Sequence, residues 1–462
     1  MRTGLWAALL PVLVQPPGAR ASDPPPAGAE RYRAEVQRLA SPLIDAGIAP
    51  GLVVGIYDDG QTEVYGLGVR SPTDQHAPDG DTLFEIGSVS KVFTCLLLAD
   101  AVTQKQVSLD EPLSHLLPAR IKPPMRDGVE ITLAHLATHS SGLPRIPGNL
   151  KDTTLKNPYA SYGAADLFAF LDGFRPTTAP GEHYEYSNLG VGLLGQLLAD
   201  RAGKSYADLL RERITTPLAM KDTTISLTEA QSKRLAPPYR DGVPVENWTF
   251  DALVGCGGVR SSVNDMLKLV AAHLHPEGSP LAEAAKLAMT RRPVQASSGA
   301  PMGLGWHYAA DNVTLWHTGQ TGGYSAAVFI APPNRKGVVI LANGASSSVD
   351  QLAERIIQSL FGMKVDPPSV RKPITVSEAD LERLVGEYDS SLGFMISVTR
   401  RGDVLYAQVT GQEALRVFPE SPTRFFYRAV EAELEFTMDE ASGKAARVTL
   451  YQNGRTMPCV RR

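Results

Sequence analysis

Within the first 362 residues strand-like stretches occur at two places far apart, and that separation limits what the chain can fold into. Gly51 to Tyr57 and Thr62 to Gly66 read as two strands joined by the hairpin signal Asp58-Asp59-Gly60. The pattern returns only after Gly303, at Leu304 to Tyr308, Val313 to His317, Tyr324 to Ile330 and Gly337 to Ala342. Strands with open edges pair with whatever partner is available, so the two groups are expected to meet in one antiparallel sheet. Between them the periodicity is helical. Ala29 to Ala46 reads as amphipathic, a helix follows Ser88, and Ile131 to Pro144 reads as a helix stopped by Gly142 and Pro144. Residues 160 to 240 read as mostly helical, Gly255 to Ser262 as a glycine-rich turn entering a helix at Val263 to His273, and Asp350 to Phe361 as a closing helix. The expected class is α+β, a sheet flanked by helices with a helical subdomain.

A second unit follows. Residues 364–373 form a proline-rich linker with Pro367, Pro368 and Pro373. Beyond it the sequence predicts seven short strands: Val385 to Tyr388, Phe394 to Thr399, Val404 to Val409, Leu415 to Phe418, Phe425 to Tyr427, Leu434 to Met438 and Ala446 to Tyr451. Short, evenly spaced strands without helices imply a small all-β barrel or sandwich over residues 374–462.

Residues 1–21 have the form of a secretory signal: Arg2, an apolar core from Leu5 to Val14, and the small-x-small site Ala19-Arg20-Ala21. Cleavage after Ala21 would remove Arg2 and Arg20 and take the formal charge from -4 to -6. No later stretch reaches the about 18 apolar residues of a membrane anchor, so a secreted or periplasmic protein is expected. A chain of 462 residues with this charge carries no basic stripe for nucleic acid. Three cysteines are too few for a disulfide framework. His135 and His139 stand at a spacing metals use, but no carboxylate partner accompanies them, so neither a metal nor a cofactor is expected. The oligomeric state, a homo-oligomer included, stays open.

The chemistry begins at Ser88-Val89-Ser90-Lys91, where a loop punctuated by Gly87 runs into an apolar helix. Positions i and i+3 share a helix face, so the hydroxyl and the amine can meet in one pocket. A serine hydroxyl needs a neighbour to take its proton, and a lysine withdrawn from water holds its own proton less tightly. A second Ser-x-x-Lys, Ser369 to Lys372, sits in the proline-rich linker without a helix and reads as a decoy. Tyr186-Ser187-Asn188 supplies a phenol and an amide on an extended loop, a pattern that Tyr451-Gln452-Asn453 repeats. His317-Thr318-Gly319 ends a strand and leads into Gln320, with glycine allowing close approach to the strand edge.

In this order the three motifs resemble those of the serine β-lactamase and penicillin-binding-protein superfamily, in its class C-like branch. The flanks Ile131 to Pro144, Pro180-Gly181, Gly257 to Asp265, Gly303 to Trp306 and Ala331 to Asn343 look like further family signatures. The resemblance covers about residues 30 to 362, within a hydrolase domain bounded at 22–363. The barrel resembles, more loosely, the lipocalin-like domain appended to some members. The resemblance implies Ser88 as the acylated nucleophile, Lys91 and Tyr186 as the base pair, and Asn188, His317, Thr318, Gly319 and Gln320 as substrate-binding. It also implies an oxyanion hole from the N–H groups of Ser88 and Gln320. Many members have lysine where this chain has His317, so carboxylate recognition is expected to differ.

The function expected is an exported serine hydrolase, forming an acyl-enzyme on Ser88 and cleaving amide bonds of β-lactams or D-amino-acid peptides. An esterase or lactonase using the same residues is the alternative. A non-catalytic binder of wall peptides is a third reading, which the intact triplet disfavours. No G-x-S-x-G motif of an α/β-hydrolase occurs.

Overall fold

The computed structural model describes residues 30–151, 156–293, 301–412, 414–428, 430, 432–452 and 454–462. The signal and leader expected before residue 30 lie outside them, as does Asn453. No helix among the described residues is long and apolar enough to cross a membrane.

The two groups of strands do meet. A six-stranded antiparallel sheet runs from Gln61–Gly68 through Gly51–Asp58, Lys336–Ala342, Ser325–Ala331 and Leu315–Gln320 to His307–Tyr308. The early strand is paired on one side by its hairpin partner and on the other by the late one, with Leu52 opposite Ala342. Alternate residues serve opposite faces. Leu52, Val54 and Ile56 join a core with Val36, Leu39 and Leu43 of helix Arg33–Asp45 and Leu352 and Ile356 of helix Ser348–Leu360. Val53 and Tyr57 join a larger core with Phe84, Phe93, Val263 and Met266. Burial on both faces explains why Gly51–Asp58 reads as a continuous apolar run. At Gly55 a Cβ would lie 2.5 Å from Val263 Cγ1, so glycine there lets helix Val263–Leu274 settle onto the sheet.

Helix Ser90–Thr103 is buried from Ser90 through Asp100 and sits inside the larger core. An all-round apolar helix of this kind is a core rod rather than a surface element.

Three sequence-based expectations change. The helix expected over Ile131 to Pro144 is only Leu133–Ala137, started by a capping box between Thr132 and His135. The chain then reaches His139 at φ 58°, a left-handed conformation that a helix cannot contain. The strand expected from Leu304 is only His307–Tyr308, because Gly305 at φ 68° turns against Cys95 and donates its N–H to Ala137 O (3.0 Å). The C-terminal unit is a closed barrel of eight strands, one more than expected. The missed strand, Arg455–Arg461, contains Pro458 and few apolar residues, and it closes the barrel by pairing with both Ala445–Gln452 and Gly386–Ser390. The barrel interior is filled by side chains, among them Tyr388, Phe425, Leu434, Phe436 and Val448.

The units are joined by named contacts. Arg428 donates to Ala46 O (2.6 Å) and Gly47 O (3.1 Å) at the end of helix Arg33–Asp45, and Arg416 donates to Asp241 O (2.7 Å). Within the linker Val365 is buried, and its carbonyl accepts from Arg38 (2.8 Å). The decoy Ser369 lies in this extended stretch, and Tyr451 lies in a barrel strand, donating to Glu435 (2.7 Å).

His273 gives the fold a pH dependence. It is buried against Trp306 (ring centroids 5.2 Å apart), and burial pulls its pKa down to about 4 from 6.5. The unfolded chain binds a proton there that the folded chain refuses. Stability is therefore complete above about pH 6.5 and declines by about 3 kcal/mol as pH falls toward 4. Urea melts of His273→Leu should show a correspondingly flatter loss across that window than the wild type.

Candidate active site

Ser88 lies in a 3-10 turn, Gly87–Val89, that leads into helix Ser90–Thr103. The turn is held from outside. Strand Leu83–Glu85 pairs with Arg260–Ser262, Ile86 N–H donates to Val259 O (3.1 Å), and Val259 N–H donates to the buried Ser90 Oγ (3.0 Å). Beneath it Glu85 receives Asn247 Nδ2, Trp248 N–H (both 3.0 Å) and Arg260 Nη2 (3.2 Å).

Lys91, one turn on from Ser88, is fully buried. Its Nζ donates to Ser88 Oγ (2.9 Å) and to Cys256 O (2.7 Å), so the glycine-rich turn contributes a carbonyl that aims the amine. The same nitrogen stands 4.9 Å from the centre of the Tyr186 ring, and Arg145 covers that ring at 5.0 Å.

Tyr186 is placed by His139. The imidazole lies 4.5 Å from the Tyr186 ring, its Nδ1 accepts from Ser187 N–H (3.1 Å), and the His139 carbonyl accepts from Glu185 N–H (2.7 Å). The left-handed backbone at His139 is what turns the ring toward the loop. Ser187 caps helix Asn188–Ala202 by accepting from Gly190 N–H (2.8 Å). Asn188 donates to Tyr159 OH (3.1 Å), and its Oδ1 is buried without a partner.

Strand Leu315–Gln320 closes the site over the serine. A Cβ on Gly319 would collide with Ile86 O and lie 2.8 Å from Ser88 N, and one on Gly87 would lie 2.7 Å from Gln320 N. The strand and the serine turn therefore touch main chain to main chain beside Ser88.

His317 is buried, and its Nδ1 donates to Thr318 O (2.7 Å), which leaves Nε2 as an unpartnered acceptor. Burial, then the neighbouring His307 and Lys91, hold its pKa well below 6.5. His139 is held down the same way, and burial takes His307 to about 4. These three imidazoles surround Tyr186 and Lys91 as neutral rings at neutral pH.

Ser88, Tyr186, Asn188, His317, Thr318, Gly319 and Gln320 line one cleft of about 880 Å³, with Lys91 beneath its floor. Sequence reasoning missed Cys256 O, His139, His307, Arg145 and Asp350, all in or under this cleft or its wall. Only the glycine run around Cys256 carried a signal. Asp350, on helix Ser348–Leu360, has its pKa pushed up to about 8 by burial, with Thr318 hydrogen-bonded to it. No group of three or more metal-ligating side chains occurs among the described residues.

Residues 36–360 match the family model "Beta-lactamase". The chain belongs to that family. Residues 370–458 match a domain of unknown function, DUF3471. The chain is 29% identical over 322 residues to the D-alanyl-D-alanine-carboxypeptidase/endopeptidase AmpH of Escherichia coli K12, covering 66% of this chain and 82% of that one. It is 26% identical over 426 residues to penicillin-binding protein 4* of Bacillus subtilis, covering 86% and 91%. A crystal structure of a β-lactamase/D-alanine carboxypeptidase from Yersinia pestis superposes with a TM-score of 0.61 at 26% identity, covering 71% of this chain and 99% of that one. The chain therefore has the β-lactamase/transpeptidase-like fold and is a serine hydrolase of that family.

The contact at Gly319 gives a sharp test. Gly319→Ala should lower the thermal midpoint, because main chain must move to admit the Cβ, and activity is compared at a temperature where circular dichroism shows both proteins folded. The substitution should cut kcat/KM on a p-nitrophenyl ester by at least about 10²-fold, the scale of losing an oxyanion donor. Retained activity would show that strand and serine turn need not touch.

Proposed function

We propose that the protein is an exported hydrolase that opens amide bonds through an acyl-enzyme on Ser88. The observation that carries this reading is Lys91 Nζ at 2.9 Å from Ser88 Oγ, and the N–H groups of Ser88 and Gln320 are the proposed oxyanion hole. In the proposed sequence Lys91, as the free amine, takes the Ser88 proton while Oγ bonds to the substrate carbonyl carbon, with the Tyr186 phenol beside it to relay that proton onward. The negative oxygen so formed rests on the two N–H groups. The proton then goes to the leaving nitrogen as its bond breaks, and water attacks the ester in the reverse sense. Asn188 and Thr318 hold the substrate. The relatives' names support β-lactams or D-alanyl-D-alanine peptides as the substrate class. The hydrolase unit would span residues 22–363, with the barrel at 374–462 appended through the linker.

A fluorophosphonate or a slow β-lactam should add covalently to the wild type, and intact-protein mass should show no adduct on Ser88→Ala. An adduct mapping to Ser369, or surviving in the variant, would sink the assignment.

The esterase reading is favoured by one observation. His317 lines the cleft as a neutral ring whose Nε2 is buried and unpartnered, and so offers no charge to a substrate carboxylate. An ordinary imidazole would gain its proton near pH 6.5, but burial moves that event lower. The rate ratio of carboxylate-bearing to neutral substrates should therefore stay flat between about pH 6 and 8. His317→Lys should raise that ratio roughly tenfold or more, the worth of a charge-assisted bond. A D-Ala-D-Ala peptide and a p-nitrophenyl ester, assayed side by side, read it. An unchanged ratio would favour the esterase.

A further inference from the structure

A second groove, of about 700 Å³, lies between the hydrolase unit and the barrel. Ser346 and Ser347 line both this groove and the catalytic cleft. The wall they form is anchored to the site itself. Ser346 N–H donates to Ser325 Oγ (2.9 Å), that hydroxyl donates to Ser346 O (3.1 Å), and Ser325 stands opposite Gln320 in the sheet. The groove thus shares a wall with the cleft, past the end of strand Leu315–Gln320.

Its lining is cationic in a chain whose formal charge is -4. Among the described residues four arginines, Arg371, Arg424, Arg428 and Arg455, line it with one glutamate, Glu433, and Glu420 stands against two of them, a balance of 4 - 2 = +2. Glu433 pairs with Arg371 and Arg424, and Glu420 reaches the same two at 3.9 and 3.4 Å. No ion pair of Arg428 or Arg455 occurs among the described residues. Arg428 spends its two terminal nitrogens on the carbonyls of Ala46 and Gly47, while its Nε is buried without a partner. Asp241 acts on it only from a distance.

We propose that this groove is a second substrate subsite, which binds an acidic stretch of a peptide whose scissile bond lies at Ser88. The proposal rests on the hydrolase reading above. It makes the barrel a substrate-binding element, since Arg424, Arg428 and Arg455 all come from it. The catalytic cleft then accepts peptides whose carboxylates lie several residues from the cleaved bond.

Fluorescein-labelled hexaglutamate, titrated against the full chain carrying Ser88→Ala, reads binding without turnover. It should bind, and binding should weaken as sodium chloride rises from 0.05 to 0.5 M, about the range over which screening shortens to a few ångströms. Arg455→Glu, added to Ser88→Ala, should weaken it about tenfold, as expected when an attraction becomes a repulsion. Arg120→Glu, the same charge change on a distant exposed residue, should leave it unchanged. Melting curves of both variants verify the fold. Unlabelled hexaglutamate should also slow p-nitrophenyl ester hydrolysis by the wild-type chain. Equal binding to the two charge-reversal variants, equally tight binding of hexalysine, or binding that leaves the ester reaction untouched would overturn the subsite. A chain that takes up hexaglutamate yet gives no covalent adduct on Ser88 would count against the catalytic reading alone.

Discussion

The structure depends on one buried amine. Lys91 is withdrawn from water at the centre of the larger core, and its bonds go to Ser88 Oγ and Cys256 O. A buried polar group without partners is costly, so these bonds hold the helix Ser90–Thr103 and the turn at Cys256 in one relative position. The buried hydroxyl of Ser90 adds a second tie to the same turn through Val259 N–H. Chemistry and packing share this arrangement. The group offered to the serine proton is also part of what keeps the serine where it is.

Around that amine the site is built from uncharged rings. His139, His307 and His317 are kept neutral chiefly by burial, and each added cation would oppose the others and Lys91. Protonating this cluster would put positive charges together where water cannot screen them. Neutral imidazoles instead act by shape and by hydrogen bonds. His139 grips the loop on both sides of Tyr186, and His317 is fixed in one tautomer by Thr318 O. The cost of this design is a pocket with little inherent pull on a substrate carboxylate at the His317 position.

The sheet connects these parts. Strand Leu315–Gln320 carries His317, Thr318 and Gly319 to the serine turn, while Ser325 on the next strand anchors the loop toward the barrel. Because the late strands also pair with Gly51–Asp58, the beginning and end of the hydrolase unit are locked together around the site. The barrel's arginines then reach back, Arg428 to the end of the first helix and Arg416 to the Asp241 hairpin.

The sequence by itself determined what short-range pattern can carry. Alternation with turn residues marked the strands and their pairing, and helical spacing put Lys91 on the same side as Ser88. The order of the three motifs marked the family. Tertiary structure decided what depends on contacts between distant segments. Cys256 O reaches Lys91 across 165 positions, and His139 Nδ1 reaches the Tyr186 loop across 48, which no local pattern encodes. His139 looked like a partner of His135 on one helix until its left-handed backbone turned it the other way. Asn188 gives its amide N–H to Tyr159, 29 positions away, and leaves its Oδ1 buried without a partner. The eighth barrel strand, with its Pro458, exists because two partners hold it, not because its own residues prefer to be extended. The shift of His317 away from an ordinary imidazole follows from burial and from His307, and burial is a property only of the folded chain.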